Sequence, residues 1–373
     1  MRIIVGLLVV LCGVAQAAAP PPPSIVGRSW IVADLSSGQV LAAQKADERF
    51  EPASLTKLMT AYLVFAALRD KKLSLGRQVN VSERAWRAPG SKMFIEPRRP
   101  VTVDELIRGM VVQSGNDACI ALAEAVAGSE EVFVQMRNRE AERLAMKNTR
   151  FMNASGLPHP QHYSTAHDIY ALAAALIRDF PAEYGQYYSQ KEYRYNNITQ
   201  PNRNRLLWLD PSVDGVKTGH TDAAGYCLVA SSRRGTRRLV SVLLGSTSES
   251  TRAQESQKLL NWGFQFFDSV KLYAANDAVK SIEVWKGATR AVKVGLKSDL
   301  FVTVPKGEAD RLKAELVSQQ PLVAPLTQGQ RVGALRLTFE GKPFGEVPVV
   351  ALEPVAAAGF LGQAWDTLRL WVK

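Results

Sequence analysis

A chain of 373 residues, 46% hydrophobic and 22% charged, has the composition of a globular protein with room for two domains. The formal charge of +11 points to an anionic polymer or surface: nucleic acid, acidic lipid or cell wall. Nucleic acid is set aside, because no helix-turn-helix spacing, zinc pattern or RNA-binding aromatic signature occurs and the Arg and Lys residues are scattered.

Residues 1–19 read as a secretory signal. Arg2 supplies the positive start, Ile3 to Val14 an apolar segment too short to span a bilayer, and Ala15-Gln16-Ala17 a cleavage site. Leu11 stands before Cys12 where a lipoprotein needs a small residue. Cys119 and Cys227 remain after cleavage; pairing and burial as free thiols are both open. Pro20 to Pro23 form an extended spacer. Ser29–Ala33 and Gln39–Ala42 read as a hairpin about Ser36-Ser37-Gly38.

Glu51 to Lys57 then turns into a helix at Ser54, with Lys57 three residues on and on the same face. A serine hydroxyl is a weak nucleophile without a base beside it, and lysine is a base only where its surroundings keep it neutral. Leu58 to Leu68 is apolar almost all round, the pattern of a buried helix. Lys57 therefore sits at the mouth of a dry helix, where its charge is costly.

Leu73 to Pro100 is irregular, and Ser82 to Arg98 is expected to wall part of a cleft. Thr102 caps a helix that runs into Gln113-Ser114-Gly115-Asn116-Asp117. Ala118 to Ala127 is a second apolar helix, stopped by Gly128. Further helices are expected over Glu130–Met146 and Ala166–Ile177, and from Ser248 or Ser250 to about Phe267. Strands are expected at Gly215–His220, Tyr226–Ala230 and Arg238–Leu244. The order predicts an α+β fold, an antiparallel sheet covered by helices. From about Ser269 period-2 runs predict a small all-β domain. Residues 357–373 close the chain as an amphipathic helix. Phe360, Leu361, Ala364, Trp365, Leu368, Trp371 and Val372 share one face, suited to a membrane interface. The divisions are 1–19, 20–268, 269–356 and 357–373.

Three short pieces now stand in order: Ser54-Leu55-Thr56-Lys57, Ser114-Gly115-Asn116 and Lys217-Thr218-Gly219. Together they resemble the S-x-x-K, S-x-N and K-T-G motifs of penicillin-binding proteins and serine β-lactamases. The likeness is nearest to low-molecular-mass penicillin-binding proteins that are serine D-alanyl-D-alanine carboxypeptidases, and it covers essentially the mature chain. It implies a penicillin-binding-protein-like fold, peptidoglycan pentapeptide stems as substrate, β-lactams as covalent inhibitors, and no cofactor or metal. It also implies export to the periplasmic face of the cytoplasmic membrane.

By that resemblance Ser54 attacks the carbonyl of the penultimate D-alanine and Lys57 takes its proton. Lys217, as a second cation, helps keep one lysine neutral. Ser114 relays the proton, and Asn116 holds Lys57 and the substrate amide. The backbone N–H groups of Ser54 and His220 form the oxyanion hole. Lys217, Thr218 and Arg252 hold the terminal carboxylate, and Gly219 lets the strand edge approach the ligand.

The alternatives are a weak serine β-lactamase, a peptidoglycan DD-endopeptidase, and a wall-binding or β-lactam-sensing module without turnover. A class A β-lactamase needs a deacylating glutamate, and Arg150 to Asp168 contains none. The first two motifs lie close in the chain and the β domain is present, against the endopeptidase. The complete motif set argues against an inactive module. His159, His162 and His167 match no metal spacing.

Overall fold

The computed structural model describes residues 19–318 and 320–372, so the expected signal segment lies outside the described residues except for Ala19. A five-stranded antiparallel sheet runs in the order Val40–Gln44, Ser29–Asp34, Arg237–Ser246, Gly225–Arg234, Val213–Thr221. Both faces of this sheet are covered. Ile31, Ala33, Val240 and Val242 pack into the helical block, while Trp30, Val32 and Leu243 pack on the helix Glu249–Phe266. Double coverage explains why Trp30-Ile31-Val32-Ala33 reads as a continuous apolar run rather than an alternation.

The helical block is inserted between the hairpin and the last three strands. Its centre is Lys57–Arg69, which is buried on nearly every side, as its even hydrophobicity requires. Thr102 closes a capping box with Glu105 at the start of Val103–Val112, which fixes where that helix begins and hence where its C-terminal end delivers Ser114. Asn116–Ala127 ends at Gly128 in the left-handed conformation. Among the elements without a counterpart in the sequence reading are the helix Pro181–Tyr187 and the small hairpin Glu192–Tyr195 with Ile198–Pro201. Both are short and half-exposed, so little periodicity marks them.

Beyond Phe266 the chain enters an all-β module without a loop. Phe267–Tyr273 pairs with Leu300–Pro305, and five further strands form a second antiparallel sheet. Strands Leu312–Ser318 and Lys342–Ala351 were not expected. The second contains Pro343 and Pro348 and has a largely exposed first half, which obscures its pattern. Thr303, on the strand Leu300–Pro305, ties this two-stranded ribbon to the turn of the first hairpin: its backbone bonds the Gln39 side chain from both N–H and C=O, and its hydroxyl meets that of Ser37. The helix Phe360–Val372 follows. Its polar side is attached, since the Asp366 carboxylate accepts from the Lys286 N–H at 2.7 Å and Arg369 lies over Trp285. Phe360, Leu361 and Trp371 are exposed to 84% or more. Cys119 and Cys227 are buried free thiols, which settles the pairing left open by the sequence.

Candidate active site

Ser54 does not begin the α-helix. It lies in a 3-10 turn, Ala53–Thr56, and the α-helix starts at Lys57. Ala53 takes a positive φ of 46°, which lifts the turn toward the cleft. Gly156 makes this possible from the other side: a Cβ there would stand 1.8 Å from the Ala53 carbonyl oxygen, and its φ is +89°.

The Lys57 amine is buried and has three neighbours: Ser54 Oγ at 2.9 Å, Asn116 Oδ1 at 2.7 Å and the Ser155 carbonyl at 2.5 Å. A neutral amine has two N–H donors and one lone pair. With Asn116 and Ser155 taking the two donors, the lone pair is left for the Ser54 hydroxyl. Burial lowers the Lys57 pKa to about 8, and the charges of Arg137 and Arg203 act in the same direction. A usable neutral fraction therefore exists near pH 7.

Lys217 is the second buried amine. It donates to Ser114 Oγ at 2.9 Å and to the Thr218 carbonyl at 3.0 Å. Its pKa is held well below the ordinary value, first by burial and then by the charge of Lys57. Burial is the larger cause at both lysines; the repulsion expected from sequence is felt chiefly at Lys217. Ser114 has a φ of +66° just before the helix Asn116–Ala127. That strained backbone turns its hydroxyl to Lys217, while Asn116 faces Lys57.

Asp117 stabilises this arrangement. Its carboxylate accepts from the N–H groups of Met93, Phe94 and Ile95 and from that of Ala118. This pins the expected cleft wall to the helix that carries Asn116, and Asn116 Nδ2 adds a bond to the Pro89 carbonyl at 2.6 Å. An acid in a first helical turn is ordinary in sequence, so nothing there marked this role.

The strand Val213–Thr221 is the outer edge of the sheet and packs along the Ser54 turn. A Cβ at Gly219 would meet the Pro52 carbonyl at 3.2 Å, so glycine permits the turn to approach as well as a ligand. Ser54, Ser114, Asn116, Thr218, Gly219, His220 and Arg252 all line one cavity of about 310 Å3. Lys57 and Lys217 stand behind Ser54 and Ser114. Arg252 is 2% exposed, not a surface arginine: it reaches the Gly219 carbonyl at 3.4 Å, the Arg203 carbonyl and Glu249, over the Tyr226 ring. His220 packs on the same ring. Arg203 also lines the cavity, a residue the sequence analysis did not single out. His162 is buried beside His159, whose carbonyl accepts from its backbone N–H at 2.8 Å, and its ring bonds Thr56 Oγ1 at 2.9 Å.

The D-alanyl-D-alanine carboxypeptidase family model, peptidase S11, matches residues 15–248, and the C-terminal domain of penicillin-binding protein 5 matches residues 267–357. This chain belongs to the D-alanyl-D-alanine carboxypeptidase family. Its members are serine hydrolases. The chain is 44% identical to D-alanyl-D-alanine carboxypeptidase DacC of Escherichia coli (strain K12), over 93% of this chain and 89% of that protein. It superposes on penicillin-binding protein 5 of Haemophilus influenzae with a TM-score of 0.87 at 40% identity, covering 90% of this chain and 99% of the other. Penicillin-binding protein D2 of Listeria monocytogenes, solved in an ampicillin-bound form, matches with a TM-score of 0.60 at 30% identity over 66% of this chain and 100% of that one.

Proposed function

We propose that this chain is a serine D-alanyl-D-alanine carboxypeptidase that removes the terminal D-alanine from peptidoglycan pentapeptides through an acyl-enzyme on Ser54. The observation that carries the reading is the Ser54–Lys57 pair: a hydroxyl 2.9 Å from a buried amine whose pKa lies at about 8. Neutral Lys57 takes the Ser54 proton as Oγ attacks the carbonyl carbon of the penultimate D-alanine. The backbone N–H groups of Ser54 and His220 receive the oxyanion. The tetrahedral adduct collapses with loss of the C–N bond, and the proton passes through Ser114 to the leaving amine. Water then attacks the ester carbonyl and gives its proton to Lys57; the adduct collapses with loss of the C–Oγ bond, and Lys57 returns the proton to Ser54 Oγ.

Lys217, Thr218 and Arg252 hold the terminal carboxylate, with Arg203 at the same cavity. Glu249, the carboxylate that lines the cavity, is tied to Arg252 at 3.3 Å, and so is not placed as a deacylating base. β-Lactams therefore acylate Ser54 and leave slowly. Residues 20–268 form the catalytic domain and 269–356 a separate β domain.

Product analysis tests the activity. A pentapeptide is expected to release one equivalent of free D-alanine, and penicillin to stop the release. Cleavage of a dimeric muropeptide without D-alanine release, or rapid turnover of a chromogenic cephalosporin, contradicts this reading.

The helix Phe360–Val372 serves as a peripheral membrane contact at the periplasmic face of the cytoplasmic membrane, after export directed by residues 1–19. In support, its polar side is bonded to the β module while Phe360, Leu361, Leu368 and Trp371 are exposed. No described helix is long and apolar enough to cross a membrane. Deleting the residues after Gly359 is expected to release the protein from membranes and to leave soluble-substrate activity intact. Continued sedimentation with membranes argues against the assignment.

A further inference from the structure

We propose that Arg137 is a positioning residue for acylation: it clamps together the two backbone segments that hold the Lys57 amine and places a fixed positive charge behind it. The inference rests on the reading of Ser54 and Lys57 as nucleophile and base. Arg137 projects from the helix Glu130–Arg143 and is fully buried. One guanidinium nitrogen donates to the Thr56 carbonyl at 2.6 Å, inside the turn that carries Ser54 and Lys57. The other donates to the Asn153 carbonyl. Asn153 in turn gathers the N–H groups of Ser155, Gly156 and Leu157 on its side-chain oxygen. Ser155 is the residue whose carbonyl accepts a hydrogen bond from the Lys57 amine. Arg137 thus ties the turn that leads into Lys57 to the loop whose Ser155 carbonyl holds the amine.

The charge itself is unusual. The guanidinium lies over the Phe151 ring at 4.3 Å, and among the described residues no carboxylate forms an ion pair with it. Glu130 acts on it from a distance, but that carboxylate is engaged with Arg84 at 2.6 Å and the Ala154 N–H at 2.8 Å. A buried cation without a paired carboxylate is expensive, and two carbonyls alone would be served by a neutral donor. What a neutral donor cannot supply is a repulsive charge near the amine that must lose its proton.

Other charged and titratable groups also act at Lys57. Cys119 and Asp117 come from the helix Asn116–Ala127, Lys217 from the edge strand, and Arg203 from the loop before Leu206–Leu209. His162 is kept neutral by burial, its pKa lowered to about 3. Asp117 is already saturated by backbone N–H groups. Arg137 and Arg203 are the two arginines that push the Lys57 pKa down, and Arg203 is exposed and screened.

The test is the pH dependence of Ser54 acylation by a fluorescent penicillin, measured on the full chain with Arg137→Met and Arg137→Lys. In Arg137→Met the acidic limb is expected to move up by about one pH unit, with acylation at pH 7 falling about tenfold. Arg137→Lys keeps the charge and is expected to keep the limb, while its plateau falls because an ammonium cannot bridge the two carbonyls as a planar fork does. If Arg137→Met does not fold, the neutral donor in Arg137→Gln is read in the same way. A folded neutral variant whose limb stays at the wild-type pH overturns the proposal, as does an Arg137→Lys limb that moves with it. Absence of labelling in the wild type overturns the assignment of Ser54 instead.

Discussion

Ser54→Ala is expected to lose both labelling by fluorescent penicillin and release of D-alanine, by at least about a thousandfold. The fold should survive, because Ser54 sits in a 3-10 turn shaped by Ala53 and Gly156, and its hydroxyl contributes one contact with Lys57. Lys57 keeps Asn116 and Ser155 as partners in the variant. The measurement pairs a gel of the labelled protein with a D-alanine assay on the same preparation. Retained release with lost labelling would mean that the nucleophile lies elsewhere.

Lys57→Met should be nearly as damaging to acylation and close to neutral for stability. The folded pKa of about 8 lies below the ordinary 10.5. Between those values the unfolded chain binds the extra proton, so stability rises with pH across that window. The penalty is fully present below pH 8 and amounts to about 3 kcal/mol at pH 7. Methionine removes it. The same change leaves Asn116 Oδ1 and the Ser155 carbonyl without their donor, at about 1–3 kcal/mol each. The two effects are of similar size, and the melting temperature at pH 7 is expected within a few degrees of wild type. Loss of labelling then cannot be blamed on unfolding. Denaturant titrations at pH 7 and above 10 provide the second check: the rise of stability with pH should be smaller in the variant. An equal rise in both proteins places the depressed titration on another group.

The proposed catalytic set was legible because each of its members sits at a punctuated place in the chain. Ser54 and Lys57 flank a helix start, Ser114 and Asn116 flank another, and Lys217 to Gly219 lie on a strand with a glycine in it. Those are backbone signals, and they survive without a structure. Arg252 stands in the first turn of the helix Glu249–Phe266, the helix expected from Ser248 or Ser250. Asp117, Ser155, Arg137 and Arg203 were not legible. They act through backbone groups far along the chain, or by lining a cavity, and no periodicity encodes either.

The sequence by itself determined the α+β order of elements, the burial of the Lys57 helix, and the presence of two serines and two lysines in a fixed succession. Local chemistry is enough for that: hydrophobic pattern, caps and glycines act over a few residues. Only the tertiary structure decided how the amines behave. Burial beneath the edge strand, with the Asn116 and Ser155 oxygens on one side and Arg137 behind, depends on segments about 60 to 100 residues apart meeting at one point. The dielectric and the charges at that point exist only once the chain has folded, and they give a helix-start lysine the lowered pKa that its proposed role as a base requires.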